Sequence, residues 1–546
     1  MVGSVSAYAI GVDFGTESGR ALLLDLNSGE ELAVEVVPYP SAVIDRTLPS
    51  TGERLPHDWA LQDPADWVTV MESGIPPLFS RSGVSANQVV GIGVDVTSCT
   101  VLPVTGEGVP LCTLGRWRAH KHAWPKLWKH HSAQPVADRL NEVALARGEE
   151  FLSRYGGRIS SEWYFPKLIE LWLEEREVYD AAYGFIEATD WIVWWLTGVE
   201  CRQSSTAGYK AMWSASDGLP SVDYFEACYP GFNDPAAKLG HTFVPLGTRA
   251  GTLTATAAQA IGLPESVAVA VGNVDSFVSV PGAGVEQPGV YVTVVGTSIC
   301  DMLVDSSEVR LPGITGVVKD GILPGLYGYE AGQVAVGDML AWFVELLGAG
   351  ADGYGELERA AAAIGPGETG LVALDWWNGN RSILADADLT GVIGGLTLQT
   401  GRAEIYRALL ESIALGNRRI VDNFSEHGLR VVEIVACGGI AERSPLLMQL
   451  FADTSGRTVR VPSASEIPAR GSALFGAVAA GAYADIGAAI DATRPGTART
   501  YAPDPDAQRT YDEVYGVYRR LYETLGRGQV ELLHDLKRIR NDRRAQ

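Results

Sequence analysis

The chain has 546 residues, more than one domain's worth, and its 46% hydrophobic and 20% charged residues are those of a folded protein able to bury a large core. A formal net charge of −23 excludes a general nucleic-acid binder, because duplex binding relies on Lys and Arg to neutralise phosphates. Six cysteines (Cys99, Cys112, Cys201, Cys228, Cys300, Cys437) form no CxxC pair, and neither a leader pattern at Met1–Gly15 nor a run of about 20 apolar residues is present, so the expectation is a reducing cytoplasm with no disulfide framework, zinc site, signal peptide or membrane span.

In chain order, Ala9–Val12 predicts a strand, Asp13–Gly19 a turn and Arg20–Leu26 a second strand, ending at Asn27–Gly29. This is a hairpin with an unusually polar first turn. Val89–Val94 reads as a buried strand running into Asp95, with Thr97 and Ser98 just beyond. Helical spacing dominates Ala137–Leu196; within it Lys167–Tyr179 places Leu168, Leu171 and Trp172 on one face. Trp191, Trp194 and Trp195 predict a core face rather than a ligand box. Lys210, after Ser204–Gly208, falls in a predicted loop.

Val267–Val271 predicts a strand leading into Gly272–Asn273–Val274–Asp275. Gly289–Ser298 and Asp301–Val304 then repeat the pattern of the chain start, an apolar strand, Gly-Thr, a polar turn and an apolar strand. This weak internal repeat predicts two domains of one topology, each bringing a turn to a shared cleft. A helix at Gly337–Leu347, a linker-like stretch at Gly348–Gly355 and an amphipathic helix at Glu404–Asn423 follow. Next come a strand at Val431–Cys437 ending at Gly438–Gly439, a helix at Pro445–Thr454 and a small-residue helix at Arg470–Ala482. The basic stretch Leu536–Arg544 reads as the solvated end of a last helix, where positive charge suits the macrodipole.

No GxxxxGK[ST] and no HExxH occurs, and the GxGxxG at Gly348, Gly350 and Gly353 follows a helix where a dinucleotide site needs a strand. The histidines show no metal-ligand spacing; His130 and His131 read as surface or cleft residues. What remains is a pair of phosphate-type turns. Asp13–Gly15–Thr16 and Gly296–Thr297–Ser298 offer backbone N–H groups and hydroxyls that hold phosphate oxygens without a lysine. Asp13 and Asp275 are candidates to hold Mg²⁺, partly through water. Asp275, just past a strand end, is the candidate base for phosphoryl transfer to an alcohol. Gly438–Gly439, at a strand end before a helix, lets the backbone press against a flat base.

These stretches, IGVDFGTESGRALLLD, GIGVDVTSCTVLP, LWKHHSAQPVADRLNE, SSEWYFPKLIELW, GNVDSFVSVPGAG, GTSICDMLV, GLYGYEAGQVAVGDMLAWFV and ACGGIAERSPLLMQLFAD, resemble the FGGY carbohydrate kinases, and among them the members acting on L-ribulose. The resemblance runs in order from Ile10 to Tyr483. It implies an α/β fold of two ribonuclease-H-like domains, of the actin and hexokinase type, with a catalytic cleft between them. The expected halves are residues 1–285, on the sugar side, and 286–546, on the nucleotide side. The implied activity is ATP- and Mg²⁺-dependent phosphorylation of L-ribulose to its 5-phosphate in L-arabinose breakdown, with no nucleic-acid or membrane partner. A homodimer is carried as an expectation with no residue argument behind it.

The resemblance makes Asp275 the general base and sets Asp13 and Thr16 near Mg²⁺ and the γ-phosphate. Gly15, Gly296 and Thr297 lie on the phosphates; Gly337, Gly438, Gly439 and Arg443 line the nucleotide. Thr97, Ser98, Trp128, Lys210, Asp275 and Glu330 line the sugar; read without the resemblance, Glu330 is a helix N-terminal acid. Two departures stand out: Ser98–Cys99 replaces an Arg-Glu pair common in the family, and His130 stands where many members have Asp. The first favours a ketopentose over a polyol; the second leaves His130 without an assigned role. D-ribulose, xylulose, a pentitol, or a non-catalytic actin-like nucleotide-binding scaffold are the alternatives.

Overall fold

Two mixed sheets of seven strands organise the chain, and they repeat one strand pattern. The computed structural model describes residues 7–350 and 352–544; the first six residues of Met1–Gly15, where no leader pattern is expected, and Ala351 in the Gly348–Gly355 stretch lie outside them. In the first sheet, Tyr8–Phe14, Ser18–Asp25 and Glu31–Pro38 form an antiparallel meander. Tyr8–Phe14 pairs in parallel with Val89–Val96, which pairs in parallel with Ala268–Ala270 and Asn273–Val274; Arg249–Thr252 closes the edge antiparallel.

The second sheet does the same. Val290–Val295, Ile299–Asp305, Tyr327–Gln333 and Gly316–Lys319 run antiparallel; Glu433–Cys437 and Thr458–Pro462 add in parallel; Thr497–Tyr501 closes antiparallel. The repeat seen in sequence is therefore a repeat of topology. Central strands such as Tyr8–Phe14 are buried along their whole length, as strands covered on both faces must be.

One helix links the halves. Ile467–Ala479 comes from the second half of the chain yet lies across Tyr8–Phe14 and Val89–Val96 of the first sheet. The approach is close enough to require glycine on the strands. A methyl group added at Gly11, Gly91 or Gly93 would stand 1.6, 2.1 or 2.0 Å from a carbonyl oxygen of that helix. The same helix packs on Asp275–Gly282, where a methyl at Gly471 would meet the Val278 carbonyl oxygen at 1.9 Å. Around these contacts a shared apolar core draws Ala9, Leu22 and Val278 together with Val292, Val435 and Ala473. The chain's excess of glycine thus serves helix-to-sheet packing as much as phosphate turns.

Several elements differ from the sequence reading. The Lys167–Tyr179 periodicity is split, with Tyr164–Glu174 and Arg176–Ala181 meeting at Glu175, whose φ of −144° is not helical. Gly353–Ala362 is helical, so the linker-like stretch is shorter than its composition suggests. Lys210 ends a short helix, Ser204–Lys210, rather than lying in a loop. The last helix, Glu531–Arg544, carries the basic stretch, with Lys537 and Arg538 ion-paired to Asp388, Asp535 and Asp542. Among the described residues no helix is long and apolar enough to cross a membrane, and all six cysteines are free thiols.

Candidate active site

Strand register assembles three carboxyl groups along one edge of the first sheet. Asp13 lies opposite Asp95 in the parallel pair, and Asp95 lies opposite Asn273, two residues before Asp275. Asp275 opens the helix Asp275–Gly282, which also touches Val290–Val295 and Ile299–Asp305 of the second sheet. This is the carboxyl end of parallel strands, where α/β sheets place their ligands.

Asp13 and Asp95 are buried. Arg20 Nη1 sits 3.3 Å from Asp13 Oδ2, and its Nε reaches Glu466 at 3.4 Å. Ser472, on the linking helix, donates to Asp95 Oδ2 at 2.5 Å, and the Asp95 and Asp13 carboxyl groups lie within hydrogen-bonding reach of each other. Burial and then the charge of Asp13 push the Asp95 carboxyl well up. Burial raises Asp13 too, against the pull of Arg20. Asp275 keeps an edge open to the cleft and accepts from the Ser276 N–H at 2.7 Å. Burial first, then the charge of Asp13, lift its carboxyl to about 7. A carboxyl raised to that range has the proton affinity that a general base at neutral pH needs.

Both turns are tied down. In the first, the Gly15 N–H donates to Ser18 O at 3.0 Å, and the Gly15 carbonyl accepts from the Tyr39 hydroxyl at 2.9 Å. The Thr16 carbonyl accepts from Gln62 Nε2, and Thr16 Oγ1 accepts from Trp128 Nε1 at 3.1 Å. In the second, Gly296 N–H bonds Ser298 O at 2.9 Å, and the chain from Val336 to Gly337 folds onto it through hydrogen bonds to the Thr297 and Gly296 carbonyls. A methyl at Gly337 would stand 2.9 Å from Gly296 O. Gly438 has φ 93°, and a methyl there would meet Val295 O at 2.7 Å. Gly439 lies under Arg443, whose Nε donates back to the Gly439 carbonyl at 2.7 Å. Gly296, Thr297, Gly337, Gly438, Gly439 and Arg443 therefore form one neighbourhood, and the Thr297 and Arg443 side chains are exposed.

The residues read for the sugar also come together. Lys210 Nζ donates to Glu330 Oε2 at 2.6 Å, a buried ion pair between the two halves of the chain. Glu330 lies within the strand Tyr327–Gln333, not at a helix start, so the dipole reading of it is set aside. Lys210 pulls the Asp275 carboxyl down and Glu330 pushes it up, so the pair stands beside Asp275. The Thr97 N–H bonds Phe14 O at 3.2 Å, which sets Thr97 and Ser98 beside the first turn. Ser98 Oγ is shielded and has no partner among the described residues. Trp128 is half-buried over Thr16.

His130 is buried, contrary to the reading of it as a cleft or surface residue; His131 is exposed. The His130 ring stands edge-on to Trp59, beside Lys126, and Nε2 meets Glu170 at 3.1 Å. Sequence reasoning missed four residues here. Asp95 carried a legible signal, an acid at the end of an apolar strand matching Asp13. Glu466, which binds Arg20, carried none. Nor did Glu162 and Arg381, an ion pair at 3.4 Å across the halves. Arg381 and Lys210 hold Glu162 below the usual carboxylate range, against burial. Two surface hollows, one of about 900 Å³ around Trp191 and Trp194 and one of about 380 Å³ around Trp213 and Phe243, lie away from these turns.

Residues 8–282 match the N-terminal domain, and residues 291–480 the C-terminal domain, of the FGGY family of carbohydrate kinases. A protein of Anoxybacillus flavithermus named ribulokinase is 48% identical over 556 aligned positions, spanning 98% of each chain. One of Mycolicibacterium smegmatis with the same name is 42% identical over 98% of this chain and 97% of the relative. The crystal structure of xylulose kinase from Rhodospirillum rubrum superposes with a TM-score of 0.79 at 26% identity, covering 96% of this chain and 100% of that one.

Proposed function

This chain belongs to the FGGY family of carbohydrate kinases, an ATP-dependent family, and from that premise we propose that it phosphorylates L-ribulose on its terminal hydroxyl to give L-ribulose 5-phosphate. Relatives named ribulokinase, matched over nearly the whole of both chains, support ribulose as the sugar. The observation that carries the chemistry is the carboxyl row Asp13, Asp95 and Asp275, with the first phosphate-type turn following Asp13 and the helix that Asp275 opens packed on the two strands that flank the second.

In this reading Asp275 accepts the proton of the attacking hydroxyl. Its position at the first residue of a helix fixes the carboxylate, and its Ser276 hydrogen bond selects one rotamer. Thr97, Ser98, Trp128 and the Lys210–Glu330 pair hold the sugar. Glu330 accepts from, and Lys210 donates to, its oxygens, and the pair ties the sugar to both halves at once. Gly15, Thr16, Gly296 and Thr297 present backbone N–H groups and hydroxyls to the phosphates. Gly337, Gly438, Gly439 and Arg443 line the base and ribose.

The donor set fits Mg²⁺. The charge of Asp13 raises the carboxyls of both Asp95 and Asp275, and that of Asp275 raises Asp95, a crowding of negative charge that a hard cation relieves. Among the described residues no three metal-binding side chains converge into a cage. Asp13 and Asp275 would therefore hold the ion partly through water and share it with the phosphates, where it neutralises charge on the transferred group. Free thiols throughout support a reducing cytoplasm as the compartment. We keep residues 1–285 as the sugar side and 286–546 as the nucleotide side.

The test is ADP release, coupled to a reporter, across the 2-ketopentoses, the pentitols, glycerol and hexoses. L-Ribulose should give the highest kcat/KM. Preference for glycerol or a hexose would end the ribulose reading and leave the kinase standing. Nucleotide binding without sugar-dependent turnover would instead favour the non-catalytic scaffold.

A further inference from the structure

Lys167 is buried and makes no ion pair among the described residues. Its ammonium donates instead to two main-chain carbonyls, Cys99 O at 2.7 Å and Leu127 O at 2.9 Å. Burial pulls its pKa down, against Cys99, Glu162 and Glu187. A buried charge without a carboxylate partner is a poor way to stabilise a core. Its two acceptors suggest what it does.

Cys99 follows Ser98, and Leu127 precedes Trp128. The two segments are already joined one step further back, where Val101 and Lys126 exchange N–H···O bonds at 3.1 and 2.8 Å. That ladder cannot reach the pocket end of either segment. Between Val101 and Ser98 the chain turns through Cys99 with φ 47°, a left-handed conformation that a residue with a Cβ avoids. Such a residue stays there only when its surroundings over-determine it. Lys167 supplies that constraint. It grips the carbonyl of the strained residue and ties it to the carbonyl beside Trp128. Both gripped segments border the first phosphate turn, through the Thr97 N–H on Phe14 O and Trp128 Nε1 on Thr16 Oγ1.

We infer that Lys167 is a positioning residue for the sugar: by clamping the Cys99 and Leu127 carbonyls it sets the spacing between Ser98 and Trp128. The inference rests on the proposed sugar-lining role of those two side chains. It names a part of the machinery that touches neither substrate. Ammonium is the right group, because a single Nζ can serve two carbonyls on different segments and each bond is charge-assisted.

The test is steady-state kinetics of the full chain with L-ribulose and MgATP varied in turn. Lys167→Met fills the same space and removes both bonds. It should raise the sugar KM about tenfold or more while the ATP KM stays within about twofold. Cys99→Gly in the Lys167→Met background should recover much of the sugar KM, because glycine reaches φ 47° without the strain that a Cβ imposes. A merely structural role would not produce that rescue. Equal rises in both KM values, a loss confined to kcat, or no rescue would overturn the assignment. If Lys167→Met fails to accumulate as folded protein, Lys167→Gln keeps one donor without the charge. It should show the same split at smaller size, and a uniform loss there overturns the inference equally. The wild type separates the two levels. If it phosphorylates no ketopentose, the ribulose reading falls and takes this inference with it. If it does and the split is missing, only the Lys167 assignment falls.

Discussion

Asp275 should impose an acid limb on turnover whose position the neighbouring charges set in opposite directions. Only the carboxylate takes a proton, so the rate rises with pH through the carboxyl's pKa, about 7. Half the molecules are competent at that pH and about one tenth a single pH unit below it, so kcat/KM for L-ribulose should fall about tenfold per unit on the acid side and level off above about pH 8. Burial contributes most to the raised value, the Asp13 charge next, then Glu330, with Lys210 opposing. Lys210→Met removes the opposing charge and leaves Glu330 unpaired, so the limb moves to higher pH. Glu330→Gln removes a raising charge, and the limb moves to lower pH. Both variants will bind sugar less well, so the assay reads the position of the limb and not its height. Initial rates in buffers of constant ionic strength between about pH 5.5 and 9 suffice. A flat profile, or limbs that shift the same way in both variants, would refute the reasoning.

Asp275→Ala should cut kcat by about 10²–10⁴ and leave calorimetric affinity for a non-hydrolysable ATP analogue within about twofold; retention of more than about a tenth of kcat would remove Asp275 from the role of base. Ser98→Leu, placing bulk beside an unpartnered hydroxyl site, should raise the L-ribulose KM more than the ATP KM and reorder the pentuloses and pentitols; equal loss on every sugar at constant KM would take Ser98 out of the pocket. Gly438→Ala meets both φ 93° and a carbonyl at 2.7 Å, a strain on the order of 1–3 kcal/mol. It should raise the ATP KM more than the sugar KM, and an unchanged ATP KM would argue against a nucleotide contact. Gly11→Ala puts a methyl 1.6 Å from Ala469 O, so the urea midpoint should fall by the equivalent of at least about 1–3 kcal/mol, and an unshifted midpoint would contradict the packing.

Much of this was legible because motif and strand end coincide. The hairpin around Asp13, the strand leading to Asp275 and the Gly438–Gly439 strand end all declare themselves through apolar runs that stop at polar turns. The second hairpin repeats the first closely enough for its turn to be found by comparison. Other features depend on contacts that sequence spacing does not carry. Ser204–Lys210 is poor in helix formers, and it is helical because it packs against Gly316–Lys319 of the other half. The Lys167–Tyr179 stripe runs on past Glu175, but Glu175 leaves the helix to meet His120. His130 reads as a polar surface group until Trp59, Lys126 and Glu170 are seen around it. Glu162 and Arg381 are single charges more than two hundred residues apart, and only the fold makes them neighbours.

The helix Ile467–Ala479, seated in a glycine-lined trough of the first sheet, bears on how the protein is made. One face of Tyr8–Phe14 and Val89–Val96 cannot be covered until that helix has left the ribosome. At ~5–20 residues per second the wait is roughly 20–75 s. Throughout it, the nascent first half carries an apolar sheet face with no lid. That interval is when a chaperone is most needed. A fragment ended at residue 285 should inherit the same bare face permanently and aggregate.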